Sequence, residues 1–419
     1  MNIGIRIRDI RKSKKMTQDE LAQGICSRKY ISSIENGLIT PSKAMLEKIL
    51  EKLQVSPDFL SPIHTFSSEE LTRRISKLID LLDEKRIEEA ESLLTQLSSI
   101  PKSFGHEAII YWAMGKLAEL RRDFNKAEEY YSQAETVSKD IADISTRVRI
   151  LDSIGTFYCR FRDDVPKGSF LLNDAFELLR KYDLSGRLKI NVLISLGNLS
   201  LRLSEYVSAI RLFKEVYSTQ EAYNTQYRLE DTFMGLGIGY AASSHHEEAE
   251  YYNQKAIDIY ESKGNDEILY MGCIGNMGIF YRMIGRYDAS LEYLKRAQDG
   301  YKSLGFAIGH ENNSIELALT YKAMGNFEHA KQLLQSVADN GQDSASSEAK
   351  SVLTELLLEE NKVEEAFQLF IDVFDTIANL PPNRPLFHTY HKIANMLMEQ
   401  GEHHKAAIMF KRISTMLVR

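Results

Sequence analysis

Two sets of side chains in this 419-residue chain are of types that could do chemistry. The first is the run Ser27, Arg28, Lys29, Tyr30, Ile31, Ser32, Ser33. Arginine and lysine donate to the O6 and N7 acceptors of guanine, and a good bidentate contact is worth about 1–3 kcal/mol of discrimination. Ser32 and Ser33 lie one turn further on and can donate or accept. The second set is spread over the middle of the chain: Arg149, Asp152, Asn191, Asn198, Arg202, Asp231, Asn276, Arg282, Asn312 and Glu316. An asparagine amide carries an acceptor and two donors, so it can pair with the C=O and N–H of an extended peptide together. Arginine grips a carboxylate at two points.

Other reactive types offer less. His388 and His391 are three apart, and His245-His246 and His403-His404 are doublets, but no cysteine or carboxylate completes a metal site. The stretch Gly235–Gly239 (GLGIG) lacks the lysine that follows a phosphate loop. No nucleophile–base pair has motif support. The expectation is a protein that is not an enzyme, with no metal and no cofactor.

The first set is positioned by a short helix, a tight turn and a second helix. Thr17 can cap the first, with Glu20 three residues on as the reciprocal partner. Gly24 falls where that helix must end in a left-handed residue. Ser27 can cap the second helix, Ile31 and Ile34 share one face of it, and Asn36-Gly37 ends it. Before them, Ile3, Ile7 and Ile10 form an apolar stripe on a helix expected over about 2–15. After them, Pro41 and Ser42 open a fourth helix with Met45, Leu46, Ile49, Leu50 and Leu53 inward, and Ser56-Pro57 a fifth short turn. Residues 61–68, with a proline and serines, read as a linker between a domain at 1–60 and a second at 69–419.

The second set is positioned by a repeat. A small residue recurs at Gly115, Gly155, Gly197, Gly237, Gly278 and Ala318, and a second series at Ala90, Ala127, Gly168, Ala209, Ala249, Ser290, Ala330, Ala366 and Ala406. Tyr131, Phe213, Leu294, Leu334, Phe370 and Phe410 stand four residues after members of the second series. Two antiparallel helices approach closely only where one offers a small side chain and a bulky partner fills the groove beside it. One such pair cannot bury its face, so pairs stack. About nine pairs are expected, with Thr354 as an atypical small position.

Charge separates the two regions. Residues 1–66 hold 11 Lys and Arg against 7 Asp and Glu, a balance of +4, while the whole chain carries -7. Only the first region suits a polyanion. Three scattered cysteines, Cys26, Cys159 and Cys273, argue against a disulfide framework. No stretch is apolar for the ~20 residues that a bilayer requires, and a cytoplasmic location is expected.

Residues 3–60 resemble the DNA-binding domain of the lambda and 434 phage repressors and the XRE-type regulators, on Arg11, Thr17, Gln18, Leu21, Ala22, Ser27, Ile31, Ile34, Glu35, Asn36, Gly37 and Pro41. The resemblance implies a five-helix domain, a base-reading role for Ser27, Arg28, Lys29, Ser32 and Ser33, backbone contacts from Gln18, Asn36 and Lys43, and a structural ion pair between Arg11 and Glu35. The repeats resemble tetratricopeptide (TPR) units with a lengthened period. That implies an all-α chain ending in a right-handed superhelix whose inner wall carries the second set of residues. Together the two parts are similar to the Rap–NprR–PlcR–PrgX group of peptide-sensing regulators, in the NprR-like arrangement. The implied function is a quorum-sensing transcription factor that binds operator DNA as a homodimer or higher oligomer, switched by a short signalling peptide. An alternative is an interaction protein whose repeats sequester a response regulator, with DNA binding secondary.

Overall fold

The computed structural model describes all residues except 1–2, 15, 40, 54, 56–67, 99–105, 140, 142, 163, 265, 341–342, 378–383 and 418–419. The described residues form helices and no strand. They fall into two compact units, Met1–Ser138 and Lys139–Arg419.

The first unit opens with α1 (Ile3–Ser13), α2 (Gln18–Ala22), α3 (Arg28–Glu35) and α4 (Lys43–Leu53). Helix α1 ends at Ser13, short of the expected 15, while residue 2, the expected fifth turn and most of the linker lie outside the described residues. The capping box is present. Thr17 Oγ1 accepts from the Glu20 amide at 3.1 Å and Glu20 Oε2 accepts from the Thr17 amide at 2.6 Å. Gly24 is left-handed, with φ +81°. Ser27 Oγ accepts from the Tyr30 amide at 3.3 Å. Ile7, Leu21, Ala22, Ile31, Ile34, Ile49 and Leu53 make one buried core. Helix α1 reaches α3 closely at Gly4, where a Cβ would stand 1.7 Å from the Ile34 carbonyl oxygen. Only a glycine fits there.

From Ser68 onward the described chain is nine helix pairs: α5 (Ser68–Asp83) with α6 (Ile87–Ser98), α7 (Glu107–Leu120) with α8 (Phe124–Ser138), α9 (Ile144–Phe157) with α10 (Val165–Lys181), α11 (Arg187–Arg202) with α12 (Tyr206–Ala222), α13 (Leu229–Ala242) with α14 (His246–Lys263), α15 (Glu267–Met283) with α16 (Tyr287–Ser303), α17 (Ala307–Ala323) with α18 (Phe327–Asn340), α19 (Asp343–Glu359) with α20 (Val363–Ile377), and α21 (Arg384–Glu399) with α22 (His403–Leu417). The first helices of successive pairs in the second unit touch one another from α9 through α21, forming a continuous inner layer.

The small-to-large packing is as the repeat requires. A Cβ at Gly115 would lie 2.5 Å from the Tyr131 ring, at Gly197 2.8 Å from Phe213, and at Gly278 2.6 Å from Leu294 Cγ. Gly237 differs, because its neighbour is the buried amide of Asn253. Most pairs turn in one way. Lys85, Arg122, Ser204, Ser244, Gly285, Gly325, Asn361 and Gly401 are all left-handed. The residue after each donates its amide five residues back, as Arg86 does to Leu81 and Arg286 to Tyr281. This closes the helix end in a Schellman motif. The pair α9/α10 departs from the rule. A π-helical turn, Tyr158–Arg162, follows α9, and the helices meet glycine to glycine, with a Cβ at Gly168 falling 2.7 Å from the Gly155 carbonyl oxygen.

Candidate functional site

The N-terminus of α3 carries Arg28 and Lys29 on its exposed first turn. The nearest opposite charge to Arg28 is Asp19 at 3.5 Å, with the two side chains 66% and 68% exposed. Such a pair is screened and easily exchanged for a phosphate or base contact. Ser32 and Ser33 are half-buried one turn on, and Asn36 donates to Ser32 Oγ at 3.5 Å. Lys43 opens α4, and its side chain lies outside the described ones.

What holds this face is buried behind it. Arg11 grips Glu35 bidentately, Nε to Oε1 at 2.6 Å and Nη2 to Oε2 at 2.9 Å. Burial alone would raise the Glu35 carboxyl, but the bonds from Arg11 and Gln18 outweigh it and hold the group below the usual carboxylate range. Gln18, read from the sequence as a DNA-backbone contact, donates to Glu35 Oε2 at 2.8 Å in the free chain and so ties α2 to α3. After α3 the side chains of Leu38 and Ile39 stand in solvent.

The second set of residues is divided by the fold. Asp152 on α9, Asn191 on α11 and Asp231 on α13 converge on a residue that the sequence reading passed over, Arg228. Its Nε donates to Asp231 Oδ2 at 2.6 Å and its Nη1 to Asn191 Oδ1 at 3.0 Å. The Tyr227 hydroxyl donates to the same Asn191 oxygen at 3.1 Å. Burial works against the Arg228 charge, yet Asp231, and Asp152 beyond it, hold its pKa above the ordinary arginine value. Arg228 sits one residue before α13 in a left-handed conformation, φ 56° and ψ 30°. That places it outside the inward register of the repeat; its spacing of three from Asp231 was the available signal.

Further along the inner layer the charges form a ladder. Arg282 on α15 pairs with Glu316 on α17. Lys322 on α17 reaches Glu355 on α19 at 3.2 Å, and Lys392 on α21 reaches the same carboxylate at 3.3 Å. Burial raises the Glu316 carboxyl against the pull of Arg282, and Glu348 on α19 is raised by burial and by the Glu316 charge. Glu348, Glu355 and Lys322 were not singled out from the sequence.

The other residues of the set stay apart. Asn276 is half-buried and Asn312 exposed, and neither side chain has a hydrogen bond among the described residues. Asn198 is exposed. Arg149 is half-buried on α9. Arg202 donates to the Cys159 carbonyl of the π-helical turn, which fixes α11 to α9. Among the histidines, His245 Nδ1 lies 2.9 Å from the Ser243 carbonyl and His391 Nδ1 3.2 Å from Asn395.

Residues 7–60 match the HTH_3 helix-turn-helix family. No curated protein sequence matches the chain. Among solved structures the fold is similar to NprR in complex with its cognate peptide NprX, at 14% identity and a TM-score of 0.61, over 84% of this chain and 100% of that one. It is similar to a Rap protein complexed with competence and sporulation factor, at 13% identity and a TM-score of 0.62, over 83% of this chain and 98% of the other. The apo form of the quorum sensor NprR from B. thuringiensis aligns at 14% identity and a TM-score of 0.57, over 83% and 99% of the two chains. At these identities the likeness establishes the fold, a helix-turn-helix domain followed by TPR-like repeats. No helix among the described residues is long and apolar enough to cross a membrane.

Proposed function

We propose that this chain is a DNA-binding transcriptional regulator whose repeat wall binds a short signalling peptide and thereby controls binding at its operator. The observation that carries the reading is the union in one chain of an exposed, basic α3 N-terminus with a layer of inner helices that offers unbonded asparagines, Asn276 and Asn312. The solved likenesses support it, since NprR was captured with its cognate peptide and a Rap protein with competence and sporulation factor. In this reading Ser27, Arg28, Lys29, Ser32 and Ser33 meet bases, Gln18, Asn36 and Lys43 meet the backbone, and the chain acts as a homodimer in the cytoplasm on a palindromic operator.

The test is a footprint on the protein's own promoter, with and without a synthetic peptide taken from the reading frame just downstream. A protected site whose affinity shifts at least tenfold with peptide is the expected result. The Asn276→Ala, Asn312→Ala double variant should keep the footprint and lose the shift, with peptide affinity down by about 1–3 kcal/mol by calorimetry. Equal affinities would place the peptide elsewhere on the wall. The equal likeness to a Rap protein favours one other reading, sequestration of a response regulator by the repeats. Co-purification of a response regulator that DNA does not disturb, with no footprint, would select it.

A further inference from the structure

The contacts around Asn191 have the form of an internal occupant. Tyr227 and Arg228 belong to the turn between α12 and α13, and their side chains cross to α11, where both donate to one amide oxygen. The backbone of this turn is held independently. Gln220 Nε2 donates to the Tyr227 carbonyl at 2.9 Å and to Thr232 Oγ1 at 3.0 Å, and the Thr232 hydroxyl donates to the Arg228 carbonyl at 3.1 Å. Gln220 and Thr232 are both buried. A non-glycine residue held left-handed by its surroundings marks a conformation that the fold over-determines. The two side chains can therefore swing without the turn unfolding.

The Tyr260 hydroxyl on α14 is buried, its side chain 3% exposed, and it has no hydrogen bond among the described residues. Asp231 is the charged group that acts on it most strongly.

We propose that Tyr227 and Arg228 form a latch that occupies Asn191 and Asp231 in the free chain, joins α11 to α13, and must swing out before a ligand can use those groups. The use by a ligand rests on the peptide reading above; the latch itself does not. While closed it lowers the apparent affinity of any peptide that needs Asn191 by the fraction of chains in which it is open.

The test needs no peptide. Arg228→Gly deletes the side chain while suiting the left-handed backbone. Amide hydrogen exchange in the full chain should then accelerate at least tenfold in the first turns of α11 and α13 and stay at its wild-type rate in α17 and α21. Millimolar guanidinium ion should restore slow exchange by refilling the site, and an equal concentration of sodium chloride should not. Exchange at the wild-type rate, acceleration spread over the whole of 139–419, or equal restoration by sodium chloride would each overturn the latch. If Arg228→Gly fails to fold, Tyr227→Phe removes only the hydroxyl bond, and a smaller acceleration in the same two segments is expected; none overturns the proposal. Because footprinting tests the peptide reading separately, failure of one leaves the other standing.

Discussion

The α3 face and the inner wall treat their polar groups in opposite ways. On α3 the groups suited to a ligand, Arg28 and Lys29, stand in solvent, and the strong ion pair, Arg11 with Glu35, is hidden beneath as a brace. On the wall several of the groups suited to a ligand are bonded to one another across neighbouring helices, as Asn191 is to Arg228 and Arg282 is to Glu316, beside Asn276 and Asn312, which have no hydrogen bond among the described residues. The first arrangement is preorganised, so binding there costs little beyond counterions and desolvation. In the second, a ligand that reaches Asn191 or Arg282 must exchange bonds the protein already has, so occupancy there is tied to a rearrangement between inner helices. One region suits a reader of constant shape and the other a sensor.

The comparison breaks most readily at the brace. Arg11→Ala leaves Glu35, 1% exposed, buried without its cation, which should cost about 3–5 kcal/mol. Exchange at α3 amides should rise by orders of magnitude while α17 is unchanged; an unaltered α3 would mean that the pair is not what orients the reading helix. Next in size is Gly278→Leu, which drives a side chain into Leu294 and should cost about 1–3 kcal/mol or more, seen as earlier unfolding of the wall in denaturant with the DNA-binding helices untouched. Arg28→Ala should leave both regions as stable as wild type and flatten the ranking of operator variants by about 1–3 kcal/mol at one base pair. Preserved ranking would show that the register of α3 on DNA is different.

The smallest effect is also the one with opposite signs. Glu35 has a depressed pKa in the folded state, so its contribution is complete above the carboxylate range of the unfolded chain and is lost as pH falls through the folded value. Glu316 and Glu348 have raised values, so ionising them works against the fold, and acidification from neutrality toward pH ~4.3 should stabilise the wall around them. Exchange, taken relative to its intrinsic pH dependence, should therefore slow down at α17 over that interval and speed up at α3 only below it, as pH falls through the Glu35 value. Parallel changes would remove the electrostatic distinction between the regions.

The α2–α3 face was legible because its signals are local. Thr17 with Glu20, Gly24 and Ser27 act within a few residues, and each does in the structure what its type and spacing imply. The glycine-to-ring packing was legible for the same reason, since Gly197 and Phe213 belong to one helix pair. The pair turns were half legible. Gly285, Gly325 and Gly401 announce a left-handed residue, whereas Lys85, Arg122 and Ser244 occupy the same conformation without a compositional mark. The wall was least legible, because its bonds between pairs join residues 30 or more apart and depend on how one pair is rotated on the next. Asp152, Asn191 and Asp231 were found by register, but Arg228, which gathers them, lies in a turn that the register does not cover.

The same distinction bears on how such a chain can change in length over its history. The fit of Gly115 to Tyr131, of Gly197 to Phe213 and of Gly278 to Leu294 is a contact solved once and kept inside each pair, so a duplicated or deleted segment of about one repeat carries its own packing with it. Bonds that cross from one pair to the next do not travel in this way. A segment gained or lost between α11 and α13 would part Asn191 from Arg228, and one between α15 and α17 would part Arg282 from Glu316. The inner layer therefore marks junctions, α11 to α13 and α15 to α17, at which a segment cannot be gained or lost without breaking such bonds.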